Sequence, residues 1–358
     1  MRIPLLITLL GLILSFATLN CAKAQSLPLS HADSLMIQAQ QLRDAGTYTM
    51  ALDVYGQISA SDPHFEQSRV ERAKTYYEMG NVNTALHEAN ILLKLKNFSL
   101  ADDALLVVAR CREVLGYARA SRASYRKLLK HGHTEGMYYY AMSLFSHGHD
   151  DEARTICQQA IVTARAQTQR GENTSLALAP AHQLLSSIEV ASGHRYQALV
   201  ALYRYILSCS DEGRVLGAKQ LLTLWRREAQ AIDLLRKRKP ETDFSEKMEV
   251  VLSAICDTMP SVSPTKVGTL SADDLENIVA KTNAMASALR DMGEENLDFW
   301  QLNYGDLLVE MHARDYVRPM VYYMFEPVAS ATVLTWVNDN LALFREFSLW
   351  LEGRGADL

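Results

Sequence analysis

The sequence predicts an all-α protein, about half of it an array of stacked helix pairs. Three observations lead there. Glycines at positions 46, 80, 116, 148 and 193 recur at spacings of 34, 36, 32 and 45 residues. Upstream of each lies an apolar pattern at helical period, such as Ala73, Tyr76 and Tyr77, which marks one face of an amphipathic helix. Five residues after each glycine stands a small residue (Ala51, Ala85, Ser121, Ala153, Ala198), and four further on comes Tyr55, Ala89, Tyr125, Cys157 or Leu202. Self-similarity at such a period is the mark of a repeat architecture.

The bulk numbers agree. The chain has 358 residues, 48% of them apolar, and a net charge of −5. That supports a core and excludes a disordered chain. The densest basic run is "RKRK" at 236–239, so nothing points to nucleic acid.

The first element is an export signal. "MRIPLLITLLGLILSFATLNCAKAQ" has an early cation, Arg2, an apolar stretch from Leu5 to Leu19, and small residues Ala22 and Ala24 flanking Lys23. The stretch is short for a membrane-spanning helix, which needs about 20 residues. Residues 1–24 therefore read as a cleaved signal peptide, with Gln25 as the new N-terminus and a periplasmic or secreted product. Cleavage removes two cations and no acid, taking the net charge to −7. A second reading makes Cys21 the lipid-bearing residue of an outer-membrane lipoprotein. Thr18, Leu19 and Asn20 before it fit such a site poorly.

The repeats follow. Each unit reads as two helices: the glycine reverses the chain at the end of the first, the small residue lets the second approach closely, and the larger residue fills the gap between neighbouring pairs. The stretches "AGTYTMALDVYGQI" (45–58) and "MGNVNTALHEANIL" (79–92) align best. "LGYARASRASYRKL" (115–128), "HGHDDEARTICQQA" (147–160) and "SGHRYQALVALYRY" (192–205) are more degenerate. The fifth copy follows an insertion, "QTQRGENTSLALAP" (167–180), with a formal glycosylation sequon at Asn173.

This pattern resembles the tetratricopeptide repeat family over residues 32–210. The family's small residue in the first helix matches Ala39, Ala73, Ala109, Ala141 and Ser186; its closing proline matches only Pro63. The resemblance implies a right-handed α-solenoid with a concave face, followed here by a small helical C-terminal domain. It also implies groove-lining positions, which are Gln40, Arg43, Lys74, Tyr77, Arg110, Tyr138, Met142 and Phe145. Cations mixed with aromatics there suit a peptide segment or a partner helix. The Lys/Asn/Arg set of the family's carboxylate-clamp members is absent. In its N-terminal Gln after cleavage the chain resembles exported proteins of Bacteroidetes.

Two His-Gly-His triplets, 131–133 and 147–149, invite a metal reading. The repeat frame makes residues 134–147 a helix, which separates the triplets by about 21 Å. Zinc needs its imidazole nitrogens near about 2 Å, so the two triplets cannot share an ion. They read as solvated loop residues, with His147, His149, Asp150 and Asp151 left as a site for adventitious metal. No cofactor is implied. The four mature cysteines, Cys111, Cys157, Cys209 and Cys256, are spaced 46, 52 and 47 apart. They form no metal motif and read as buried thiols or, in an exported chain, as disulfides.

Residues 211–259 read as capping helices with an apolar stripe of Leu216, Leu221, Leu222 and Trp225. Residues 260–270, with Pro260 and Pro264, read as a linker. A helical domain over 271–358 begins with a capping box at Ser271 and Asp274. Its eight aromatics between Tyr316 and Trp350 form either a core or a docking patch. Phosphate loops and hydrolase signatures are missing. Glu310, His312, Arg314 and Asp315 are the one compact cluster for an enzymatic reading.

The sequence thus points to a non-enzymatic scaffold or adaptor of the bacterial cell envelope, with a protein or peptide partner. The alternatives are an outer-membrane-associated lipoprotein component of an uptake or secretion complex, and an enzyme with chemistry in 271–358. The groove also offers a face on which the chain's own C-terminal part could pack. N-terminal sequencing of the exported protein is expected to begin at Gln25, blocked if that residue cyclises; a lipid-bearing Cys21 at the start would favour the outer-membrane anchor instead.

Overall fold

The computed structural model describes residues 31–172, 178–225, 243–260, 270–292 and 298–354. The expected signal segment with Cys21 and Gln25, the formal sequon at 173–175, the basic run at 236–239 and residues 261–269 of the expected linker lie outside them. Among the described residues the fold is all-α, with sixteen α-helices, one π-helical turn and no strand. The chain divides into two compact units between Leu128 and Leu129.

The first unit holds α1 (His31–Asp44), α2 (Tyr48–Gly56), α3 (Phe65–Glu78), α4 (Val82–Leu92), α5 (Ala101–Val114) and all but the last turn of α6 (Ala118–His131). Helices α1 and α2 enclose Leu35, Met36, Ala39, Ala51, Val54, Tyr55 and Ile58. Ala73, Ala85 and Ala89 of the next pair share a core with Val107, Val108 and Cys111 of α5. One pair cannot bury its apolar face alone, so each closes on its neighbour.

The turns explain the register. All five punctuating glycines have φ between 73° and 81°, the left-handed region that costs other residues energy. Gly46 N–H donates to the Arg43 carbonyl at 2.8 Å, and Thr47 N–H reaches back to Leu42 at 2.9 Å. This pair of bonds is the Schellman motif. It recurs at Gly80, Gly116, Gly148 and Gly193.

The small residues lie where the helices cross. Ala39, Ala73, Ala109 and Ala141 on first helices, and Ala51, Ala85, Ala153 and Ala198 on second helices, are fully buried. The two serines in the series show how close the helices run. Ser121 donates to the Ala109 carbonyl at 2.8 Å, and Ser186 to the Ala198 carbonyl at 2.9 Å, in both cases between positions 12 apart.

The second unit continues with α7 (Thr134–Ser146), α8 (Asp150–Gln169), α9 (Leu178–Ser192), α10 (Arg195–Ser208), α11 (Asp211–Trp225), α12 (Asp243–Thr258), α13 (Ala272–Asp291), α14 (Asp306–Ala313), α15 (Val317–Asp339) and α16 (Leu341–Gly353). A π-helical turn, Gln301–Gly305, leads into α14. The insertion at 167–180 lengthens α8 rather than forming a loop throughout, and ends in the same turn type at Gly171. The capping box of Ser271 and Asp274 is present. Helix α15 bends at Ala329, two residues after Pro327, where proline removes a backbone donor.

Helices from both sides of the expected linker belong to this one unit. Tyr203 of α10 meets Thr282 of α13 at 2.8 Å, and His182 of α9 meets the Tyr304 hydroxyl at 2.8 Å. Arg204 donates to the Asn303 carbonyl in the π-turn at 3.0 Å, and Arg165 to its side chain at 2.8 Å. The expected stripe on α11 needs one correction: Leu221, Leu222 and Trp225 are buried, but Leu216 is exposed. The close face of α11 is instead made by Gly213 and Gly217, where an added Cβ would meet Cys209 at 2.9 Å and Ile206 at 2.4 Å.

Two stability predictions follow from these crossings. Ala85→Leu overpacks the α3–α4 contact and is expected to cost about 1–3 kcal/mol, whereas leucine at the exposed His87 is tolerated; equal melting temperatures would contradict the register. Gly217→Ala should lower stability by a similar amount, about 1–3 kcal/mol, because Ile206 is itself buried; an unchanged urea midpoint would show that Ile206 moves aside freely.

Candidate functional site

In the first unit, the candidate positions fall on the first helices of three successive pairs: Gln40 and Arg43 on α1, Lys74 and Tyr77 on α3, Arg110 on α5. All five are half-buried. Two acids bind the cations together. Glu71, itself buried, accepts from Arg43 and from Lys74 Nζ at 3.0 Å. Glu78 lies 3.7 Å from Arg43. The Arg110 guanidinium sits 4.3 Å over the Tyr77 ring. Arg43 and Arg110 thus tie pair to pair, while Lys74 pairs with Glu71 on its own helix. Burial pushes the Glu78 carboxyl above its ordinary range, against the pull of Arg43 and Arg110.

Tyr55 completes this cluster. It is buried, feels Glu71 and Arg43, and its hydroxyl has no hydrogen-bond partner among the described residues. The equivalent hydroxyl of Tyr125 donates to Glu113 at 2.9 Å. Position 43 is the counterpart of 113, each three residues before its turn glycine, and an arginine there cannot accept.

In the second unit Tyr138, Met142 and Phe145 lie on α7 at i, i+4 and i+7, which places them on one face. Tyr138 and Phe145 are half-buried and Met142 is exposed. Tyr138 packs edge-on against Tyr139 at 5.2 Å.

The histidine triplets sit at the two ends of α7, as the repeat frame requires. They are more than solvated loop residues. His133 is the N-cap, its Nδ1 accepting from Gly136 N–H at 3.0 Å, and His147 Nδ1 lies 2.7 Å from the Ser143 carbonyl. Among the described residues no three His, Cys, Asp or Glu side chains are grouped to hold a metal ion. The four cysteines are free thiols. Burial raises the Cys111 thiol to about 11, so it resists ionisation.

The compact cluster at 310–315 does not converge. Glu310 accepts from Arg314 at 3.0 Å, from Trp350 at 3.3 Å and from Arg354, while His312 turns to Asn283 at 2.8 Å. Asp315 adopts φ of 59° and makes the α14–α15 turn. Glu310 thus fastens α16. The C-terminal aromatics form a core rather than a surface: Tyr316, Tyr322, Phe325 and Phe347 are buried, and Tyr322 stacks on Trp336 at 4.4 Å.

The sequence reading missed a buried polar knot between the fourth and fifth pairs. Arg154 Nε donates to Glu189 at 2.6 Å and Nη2 to Ser192 at 2.7 Å; His194 Nδ1 lies 2.7 Å from the other Glu189 oxygen. Glu189 is fully buried. The available signal was a charge on each apolar face, beside Ala153 and three residues after Ser186.

Models of known protein families and the sequences of curated proteins yield no match to this chain. Among the described residues no helix is long and apolar enough to cross a membrane.

The knot makes a direct prediction. Arg154→Met leaves the Glu189 carboxylate buried without its cation and is expected to cost about 3–5 kcal/mol. The double variant Arg154→Met/Glu189→Met should recover most of that loss; a double variant no more stable than the single one would show that the knot is not a charge pair at all.

Proposed function

We propose that this chain is a tetratricopeptide-type scaffold of the bacterial cell envelope that holds a peptide segment or partner helix on the first helices of its repeats. The observation that carries the reading is the five-fold recurrence of one local design: a positive-φ glycine, a Schellman turn and a buried small-residue crossing at fixed register. Repeats of this kind present extended surfaces built from equivalent positions, and these positions hold cations and aromatics in the first unit and an apolar stripe in the second. Export rests on residues 1–24. The half-buried state of Arg43, Lys74 and Arg110 shapes the recognition. They are already positioned by Glu71 and Tyr77, so a partner meets an ordered, near-neutral surface, and aromatic and hydrogen-bonding contacts count for more than net charge.

Affinity purification from the native envelope tests this. Lys74→Gln/Arg110→Gln and Met142→Asp alter the two candidate surfaces separately, the first by removing the Lys74–Glu71 ion pair and the Arg110–Tyr77 contact. At least one of them should reduce recovery of a co-purifying protein by about tenfold or more, with the parent's helical circular dichroism spectrum retained. If both variants retain every partner, the first helices are not the binding surface.

A further inference from the structure

Helix α6 carries a feature that the groove reading does not use. Its sequence, ARASRASYRKLLKH, contains no acid. Ser121, Ser124, Tyr125 and Leu128 are buried, while Arg119, Arg122, Arg126 and Lys127 are exposed. Positions 119, 122 and 126 follow the i, i+3, i+7 spacing of one helix face, and 127 borders it. None of the four has an ion pair among the described residues, although the chain as a whole carries a net charge of −5. Like charges three and four residues apart on a helix repel. Among the described residues the stripe therefore lacks a partner, and it opposes the helix that bears it. Lys130 and His131, in the last turn, have a separate explanation in the helix dipole.

We propose that this face of α6 docks on an anionic phospholipid surface. Three features favour lipid phosphates over other polyanions. Within the helix the exposed residues beside the cations are Ala118, before the first, and Ala123, between them, so the stripe has no large apolar side chain of the kind that anchors a protein interface. It has no interleaved aromatics on which bases would stack. Three of the four cations are arginines, whose planar fork matches phosphate oxygens. Exposed Tyr117 stands directly before the helix, where an amphipathic ring at the end of a cationic row sits at headgroup level. Such a row attaches reversibly, with each cation contributing about a fivefold gain on an anionic surface.

Co-sedimentation of the purified full chain with vesicles tests the assignment. One set is phosphatidylcholine alone; the other contains phosphatidylglycerol. Binding is expected only to the second, and should weaken steadily as salt is raised. The variant Arg119→Gln/Arg122→Gln/Arg126→Gln should reduce it by about a hundredfold. Lys94→Gln/Lys96→Gln/Arg345→Gln, which removes three other exposed cations, should leave most of it intact. The α6 positions face solvent, so a circular dichroism melt is expected to match the parent chain. Equal binding to both vesicle types, no binding to either, equal losses in the two triple variants, or tighter binding to an acidic polypeptide or to DNA than to the vesicles would each overturn the proposal.

Discussion

The rest of the array depends on the backbone-to-backbone closeness at the helix crossings. At each of five places two residues, 12 positions apart, lie between helices with room for a methyl or a hydroxymethyl group and little more. The bonds from Ser121 to the Ala109 carbonyl and from Ser186 to the Ala198 carbonyl measure that closeness directly. A serine Oγ reaches a neighbouring helix's carbonyl only when the two backbones nearly touch. The turn glycine is the other half of the constraint. With a left-handed residue the chain reverses in two residues, and the second helix starts where its small residue meets that of the first. These features fix register before any larger side chain is considered.

Polar ties then vary from pair to pair on this constant frame. In the third pair Tyr125 and Glu113 close a bond within the pair. In the first, Arg43 replaces the acid, leaves Tyr55 without its acceptor and reaches Glu71 of the next pair instead. Between the fourth and fifth pairs Arg154 and Glu189 make a fully buried version of the same cross-link. A buried ion pair adds less net stability than a well-packed apolar contact would, because desolvation offsets much of the attraction. Its effect is on specificity: a neighbouring pair in the wrong register leaves a charge buried and alone.

How much of this was legible in the sequence follows from the range of each interaction. The helix pairs, their turn glycines, their buried small residues and the capping box at Ser271 are local, fixed by residues fewer than about 15 apart, and the period exposes them. The knot joins residues 35 to 40 apart, so only a charge on an apolar face hinted at it. Leu216 misled for a related reason: the first half of α11 packs through Gly213 and Gly217, so its apolar stripe begins only with Leu221, Leu222 and Trp225. The eight candidate positions lie on α1, α3, α5 and α7, the first helices of their pairs. Their partners Glu71 and Glu78 were not found, because a repeat position says which helix carries a side chain and nothing about what waits beside it.

The C-terminal third shows why period alone could not delimit the fold. Its contacts with the fourth and fifth pairs run through side chains that look unremarkable in sequence: His182 with Tyr304, Tyr203 with Thr282, and Arg165 and Arg204 converging on Asn303. The π-turn is what makes the last of these work. Its wider winding disturbs the i to i−4 ladder and leaves a carbonyl to accept from outside the helix, and Arg204 takes it. A stack of pairs has an open end that must be covered by an element with a polar outer face. Here the cover is an aromatic-cored helical assembly, clamped by Glu310 onto α16 and joined to the array through buried tyrosines and arginines. The repeats and their cover in the second unit therefore form one packed body, and the array stops where a polar, non-repeating surface can satisfy its last pair.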